Sequence, residues 1–310
     1  MKENTLKTVC HELEQKGFRT KTVSVEHVSE LRHDIAEKHR QGLFDPEFYR
    51  VELSSFDFEI PEQRPTATAI IVAAAPQPKA MIRVELNGKR HPIVVPPTYS
   101  YATDEQAAEF FEAALTGSGY HAVKARLPLK MLAVRSGLAR YGTNNISYVD
   151  GLGSFHRLAA FYTDLPLLED HWGEMRVMDR CETCSACIRG CPSGAITKER
   201  FLIRGERCLT FHNERNAAFP GWLDPDWHNA LVGCLHCQRV CPVDKEVFKW
   251  EDDKGVLCGE DANRLMSGAS RDELSNAAIQ LIEQLGLMEY YDRLGRNLKM
   301  LVRPEQKRSS

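Results

Sequence analysis

Apolar residues recur at helical spacing in "TLKTVCHELEQKGF", where Leu6, Val9, Cys10 and Leu13 share one face and Gly17 marks the stop. "RTKTVSV" alternates as a short strand does, and "VSELRHDIAEKHRQG" returns to helical spacing, ending at Gly42. "ATAIIVAAAP", Ala67 to Pro76, is an unbroken run of small and β-branched residues, the pattern of a strand buried on both faces. "AMIRVELNGKRHPIVV" predicts a hairpin about Asn87-Gly88. Two further helices follow, "DEQAAEFFEAALTGSG" with Asp104 near its start and Gly117 near its end, and "LPLKMLAVRSGLARYG" with Pro128 in its first turn. "NISYVDGLGSFHRLAAFYTDLPL" alternates on both sides of Asp150–Gly153 and predicts a second hairpin. From about residue 176 to 260 periodicity gives way to loop; Ser270 to Leu298 predicts two helices before a polar, basic end.

The chain has 310 residues, a length that suggests about two domains. Its formal net charge of −3 gives no basic footprint for DNA. No apolar run approaches the roughly 20 residues of a membrane helix. "MKENTLKTVCHELEQKGF" has neither the apolar core of a secretory signal nor a twin-arginine pair, so a cytoplasmic location is expected.

Ten cysteines change the picture, because eight of them fall between Cys181 and Cys241. In a reducing compartment such a cluster is not a disulfide framework. Cys181, Cys184, Cys187 and Cys191-Pro192 spell C-x2-C-x2-C-x3-C-P, the bacterial ferredoxin run, whose fourth cysteine ligates the other cluster of a pair. Cys234, Cys237 and Cys241-Pro242 form a second run that lacks one cysteine at its head, and Cys208 can fill that place. The expected assignment is Cys181, Cys184, Cys187 and Cys241 on one [4Fe-4S] cluster and Cys208, Cys234, Cys237 and Cys191 on the other. Two structural zinc sites are the alternative, but zinc ribbons lack the three-knuckle run closed by Cys-Pro. His212 and His236 are read as neighbours rather than ligands, since eight thiolates suffice. Cys10 and Cys258 stand apart and are read as incidental.

A two-cluster carrier needs only some tens of residues, so the long segment before the cysteines implies an acceptor site. It has no G-x-G-x-x-G and no Walker loop. The order "SGLARYGTNNISYVDGLGSF", the ferredoxin run, "RCLTFHNE" and "GCLHCQRVCP" resembles epoxyqueuosine reductase and its relatives the reductive dehalogenases, over about residues 60 to 250. That resemblance implies an α+β fold: a nitroreductase-like, corrinoid-binding α/β domain at 1–175, a ferredoxin-like domain with two clusters at 176–260 and a short helical tail at 261–310. It places the corrinoid against Tyr141, Gly142, Asn144 and Asn145, then Gly151, Gly153, Ser154 and Phe155. The glycines would let backbone approach a macrocycle, although they also suit a plain hairpin turn. The chain lacks the D-x-H-x-x-G signature of histidine-ligated cobalamin, so the resemblance implies a base-off cobalamin.

Departures from the family guide the substrate expectation. Where the resemblance implies an aspartate acid, this chain reads "HAVKARLPLKML", with Lys124 and Arg126 and no carboxylate. Only short helices follow the clusters, where epoxyqueuosine reductase usually carries a helical repeat for tRNA. The expectation is therefore a small substrate other than epoxyqueuosine, with tRNA set aside. Tyr141, Tyr148, His156, Lys124 and Arg126 are the candidate proton donors. The reading is a corrinoid- and iron–sulfur-dependent reductase supplied by ferredoxin or flavodoxin. Its rivals are an electron carrier that reactivates a separate corrinoid protein and a flavin-dependent reductase.

Overall fold

A computed structural model describes residues 2–62, 66–99, 102–115, 119–167 and 169–303. The expected Gly117 stop and the basic end beyond residue 303 lie outside the described residues. Among the described residues no helix is long and apolar enough to cross a membrane.

Strands β1 (Arg19–Ser24), β2 (Ala69–Pro76), β3 (Lys79–Leu86), β4 (Lys89–Val95), β5 (Ala122–Lys124), β6 (Ala139–Tyr141), β7 (Ser147–Val149), β8 (His156–Thr163) and β9 (Glu251–Leu257) form three sheets. The main sheet has the order β1-β2-β8-β5 with antiparallel neighbours throughout. Helices cover both of its faces. Ile70, Val72, Ala160 and Tyr162 meet Leu31 of the helix Val28–Arg40 and Leu132 of the helix Leu129–Arg135. Ile71, Ala73, Ala159 and Phe161 meet Val9 and Leu13 of the helix Lys2–Gln15 and Phe111 of the helix Ala102–Leu115. Burial on both faces is why β2 shows no polar alternation.

The hairpin β3–β4 turns at Asn87 (φ 52°) and Gly88 (φ 72°), the left-handed pair that a two-residue turn requires. The second expected hairpin is not formed. β7 pairs with β6, while β8 leaves Asp150–Gly153 to run between β2 and β5. β8 is buried along nearly its whole length, and its alternation in sequence reflects Arg157 and small residues rather than a solvent face.

The last helices are not an appendage. β9 pairs in parallel with β3, and the helices Gly259–Ser267, Asn276–Gln284 and Tyr291–Leu301 share one core with β3 and β4 through Ile82, Val84, Ile93, Leu265, Leu281, Leu294 and Leu298. The two helices expected over Ser270 to Leu298 are Asn276–Gln284 and Tyr291–Leu301, and Gly259–Ser267 precedes them. Between these two bodies, residues 176–250 hold only short helices such as Ala186–Gly190, Leu209–Glu214 and His236–Arg239. That is what cysteines at gaps of two and three residues leave room for.

Candidate functional site

The eight cysteines sort into two quartets. The Cys187 thiol is pushed up to about 11 by burial and then by Cys181, Cys241 and Cys184 beside it. Cys234 is pushed up to about 12 by burial and by Cys208 and Cys191, and Cys237 is raised by burial, Cys234, Cys208 and Cys191. Each quartet thus takes one cysteine from the far run, Cys241 for the first and Cys191 for the second, as the swap rule anticipates. Crowding that disfavours four bare thiolates is relieved when iron replaces the protons, so the residues fit two clusters. Among the described residues no three His, Cys, Asp or Glu side chains close round a single ion position. His212 and His236 are tied to backbone, through Nε2 to Glu206 O at 2.8 Å and to Trp227 O at 2.9 Å.

A cavity of about 390 Å³ adjoins the second quartet, with Cys191, Cys208, Cys234 and Cys237 in its wall. This lies in the size range of cofactor sites, roughly 300–1,000 Å³. Four of the candidates, Asn144, Asn145, Ser154 and His156, line it. Asn144 is buried between the sheet and the clusters. Its Nδ2 donates to Tyr148 Oη at 2.9 Å and its side chain also bonds Cys237, while its Oδ1 accepts from Ile146 N. Tyr148 in turn donates to Cys241. One side-chain pair therefore touches a ligand of each quartet. Asn145 takes φ 60° in the β6–β7 turn, and Gly142 sits so close to Asn144 and Tyr148 that a Cβ would lie 2.5 Å from Asn144 Oδ1 and 2.6 Å from the Tyr148 ring. Glycine there is a packing requirement.

Ser154 is the seam between sheet and clusters. Its N–H and hydroxyl both donate to the carboxylate of Asp244, at 2.8 and 2.6 Å, and it accepts from Gln238 Nε2 at 2.8 Å. Gly153 (φ 54°) allows this approach. Burial raises Asp244 to about 6, against the lowering effect of the two Ser154 bonds. Gly151 has φ 78° but open surroundings, so it is a turn residue, and Phe155 is fully buried edge-on to Phe248, a core residue rather than a cofactor contact.

The proton-donor candidates fare differently. His156 lines the cavity, with Ser147 Oγ at 3.1 Å from Nε2 and Gly153 O at 3.0 Å from Nδ1. The carbonyl requires a proton on Nδ1, so Nε2 accepts from Ser147. Burial pushes His156 down to about 4, which makes it a neutral, positioned ring at pH 7 and not an acid. Tyr141 is buried against Phe201 and raised by burial and Asp34, and Tyr148 is raised by burial, Asp244 and Cys241. Neither lines the cavity, and no cation lowers either one. Lys124 and Arg126 are exposed and lie outside the cavity wall. The residues that sequence reasoning missed are Glu214, Lys130 and Tyr99, all in that wall. Tyr99 Oη donates to Glu214 Oε1 at 2.5 Å across 115 residues of sequence, a separation that leaves no local pattern.

Residues 180–244 match the family described as 4Fe-4S double cluster binding domain, which decides for iron–sulfur over zinc. An epoxyqueuosine reductase from Cellulophaga algicola is 29% identical over 175 residues, covering 53% of this chain and 54% of that protein. The chain thus spans about half the length of that curated relative. Among solved structures, epoxyqueuosine reductase from Streptococcus thermophilus superposes with a TM-score of 0.66 at 15% identity, covering 95% of this chain and 80% of the other. An epoxyqueuosine reductase solved with an epoxyqueuosine-modified tRNA-Tyr stem loop gives 0.64 at 16% identity, covering 97% and 81%. These findings overturn two expectations, that epoxyqueuosine is not the substrate and that tRNA is set aside. Both rested on a missing carboxylate before one helix and on the short helical tail. Neither feature outweighs relatives that carry this name and a fold match over nearly the whole chain. The chain is similar to epoxyqueuosine reductases in part of its sequence and in its fold, and residues 180–244 match a double-cluster domain.

Proposed function

We propose that the protein is an oxidoreductase that reduces epoxyqueuosine in tRNA, using two [4Fe-4S] clusters and a base-off cobalamin. The observation that carries this reading is the cavity whose wall contains all four cysteines of one quartet, facing the Asn144–His156 segment of the sheet domain. A cofactor seated there lies next to its electron source.

When bound, cobalamin supplies a strongly reducing cobalt centre. The chain's own residues do the rest. Asn145 would hold its amide groups, with His156 presenting a neutral ring held by Ser147 and Gly153 and Ser154 shaping the wall through its bonds to Asp244 and Gln238. Asn144 and Tyr148 fix the sulfur ligands from the sheet side. The apolar walls, among them Leu129, Ile146, Leu158, Ile196 and Leu209, keep water from the reducing centre. Clusters held by Cys181, Cys184, Cys187 and Cys241 and by Cys191, Cys208, Cys234 and Cys237 would supply a one-electron path to the cavity from a low-potential donor of the ferredoxin or flavodoxin kind. Iron-ligating cysteines and a tRNA substrate suit a reducing, cytoplasmic setting.

The test is the full chain, purified without oxygen and loaded with iron, sulfide and cobalamin, then given reduced flavodoxin and tRNA containing epoxyqueuosine. Nucleoside mass spectrometry should show loss of the epoxide only when cobalamin is present. Tight cobalamin binding with no conversion of the nucleoside would reject the substrate, and failure to bind cobalamin at all would reject the cofactor.

A further inference from the structure

The sequence where this family implies an acid holds no carboxylate, and none of the basic or phenolic candidates but His156 reaches the cavity. One carboxyl does. Glu214, at the end of the helix Leu209–Glu214, lines the cavity together with Lys130 and Tyr99. We propose that Glu214, held by Tyr99 and set beside Lys130, is the proton donor for the reduction carried out in this cavity. The proposal rests on the reading above and deepens it by naming the group that completes the chemistry.

Three observations support it. First, Glu214 is placed and not merely nearby. Tyr99 Oη donates to its Oε1 at 2.5 Å, and Tyr99 is itself held where a Cβ on Gly233 would come within 2.4 Å of that hydroxyl. Second, the helix that carries it is pinned from the C-terminal helix. Asn297 Nδ2 donates to Asn213 O and Leu231 O, both at 2.9 Å, and Arg296 donates to His212 O at 2.9 Å. Third, its surroundings keep its proton. Burial raises Glu214 to about 7, with Glu52 and Glu289 adding to the rise while the Tyr99 bond and Lys130 oppose it. Lys130 lines the same cavity, and desolvation lowers its pKa, with Cys208 and Glu214 as the acidic groups working against that fall. Tyr99 is raised by burial, by Glu214 and, further off, by Tyr290 and Cys208, so it stays a donor to Glu214 and does not compete for the acid role.

The step balances. Reduction of an epoxide consumes two electrons and two protons, whether oxygen leaves as water with formation of C=C or stays as a hydroxyl. The electrons come from the external one-electron donor through the clusters. As the first C–O bond breaks, the Glu214 O–H bond breaks and an O–H bond forms on the substrate oxygen. The carboxylate that remains is stabilised by Lys130, and solvent protons restore it and supply the second proton.

The test uses the anaerobic, fully loaded chain and the variants Glu214→Gln and Glu214→Asp. Infrared titration in D₂O should show a protonated carboxyl band that titrates near 7 and is missing in Glu214→Gln. The reduction rate should fall as pH rises through that value. Glu214→Gln should lose about 10²–10⁴-fold in rate with iron content and cobalamin affinity unchanged, and Glu214→Asp should recover part of the rate with a shifted pH profile. A fully loaded Glu214→Gln protein with the wild-type rate and pH profile would overturn the proposal. So would a Glu214 band that titrates in the ordinary carboxylate range, an outcome readable even if the glutamine variant does not load. Wild-type protein that shows the band but leaves epoxyqueuosine intact would reject the substrate reading instead.

Discussion

Replacing Gly153 by alanine tests the seam between the sheet domain and the clusters. Gly153 has φ 54°, and a Cβ there would lie 2.4 Å from Asp244 Oδ1 and 2.9 Å from Val247 Cγ2. The left-handed backbone alone costs an alanine about 1 kcal/mol. The contact adds more, because Asp244 is fully buried and cannot swing away without giving up its bonds from Ser154 N and Oγ. Overpacking typically costs about 1–3 kcal/mol, and a lost bond to a charged group about 1.5–3 kcal/mol. These terms overlap, so the expected loss is about 2–5 kcal/mol. Gly151→Ala is the internal control. Its φ of 78° carries the same backbone cost, but the nearest atom to its Cβ is Arg19 Nη2 at 3.8 Å, ordinary contact. Anaerobic denaturant unfolding of both variants measures the difference. Asp244 lies three residues beyond Cys241, so Gly153→Ala should also release iron first from the cluster that Cys241 holds. Equal stability of the two variants, within about 0.5 kcal/mol, would refute the claim that Asp244 is locked in place.

The cluster exchange predicts that Cys191→Ser exposes Cys208, Cys234 and Cys237 to alkylation and leaves Cys181, Cys184, Cys187 and Cys241 protected, with Cys241→Ser giving the reverse; mass spectrometry of alkylated peptides reads this directly. Tyr148→Phe removes the O–H donated to Cys241; a donor to a ligating sulfur favours the reduced cluster, so spectroelectrochemistry should find that cluster's potential lowered and the other's little changed. Stability should depend on pH through Glu214, whose folded value of about 7 lies above its ordinary 4.5. A raised carboxyl contributes fully below 4.5 and loses that contribution as pH rises through 7. The loss amounts to about 1–3 kcal/mol after allowance for water in the cavity, and thermal unfolding of wild type against Glu214→Gln should show the gap close over that window.

The cysteine ligands were legible because cluster binding is written in short chain spacings: four thiols on one loop need gaps of two and three whatever the rest of the fold does. The turn at Asn87-Gly88 and the buried strand β2 were legible for the same reason, being local in cause. β8 was misplaced because alternation specifies a strand but not its partner, and here a neighbour distant in sequence, pairing Ala69 with Thr163 at its end, outcompeted the near one. The tail looked detachable because nothing in Leu281, Leu294 or Leu298 says that they pack on Ile82 and Ile93. Of the cavity residues, Asn144, Asn145, Ser154 and His156 lie on one continuous segment and were found together. Glu214, Tyr99 and Lys130 come from three separate segments, each ordinary in its own context, and only folding makes them neighbours.

That division has a physical basis in what each half of the site must do. Iron holds its own ligands, so the cluster domain needs little besides cysteines at the right spacing and can be nearly all loop. The cavity walls have no such ligand bonds to fix them, so they need support from rigid elements on every side. Ser154 is fixed by Asp244 and Gln238 from the cluster domain, Asn144 by Tyr148 from the β6–β7 hairpin, and Glu214 by Tyr99 from the turn Pro97–Tyr99 that follows β4. The helix behind Glu214 is fixed in turn by Asn297 and Arg296 of the C-terminal helix. Loss of those last contacts should therefore be felt in the acid and not in the clusters. An Asn297→Ala protein that keeps its iron but whose Glu214 carboxyl titrates closer to 4.5 would show that the C-terminal helices are part of the catalytic apparatus. Unchanged titration would leave them a structural support alone.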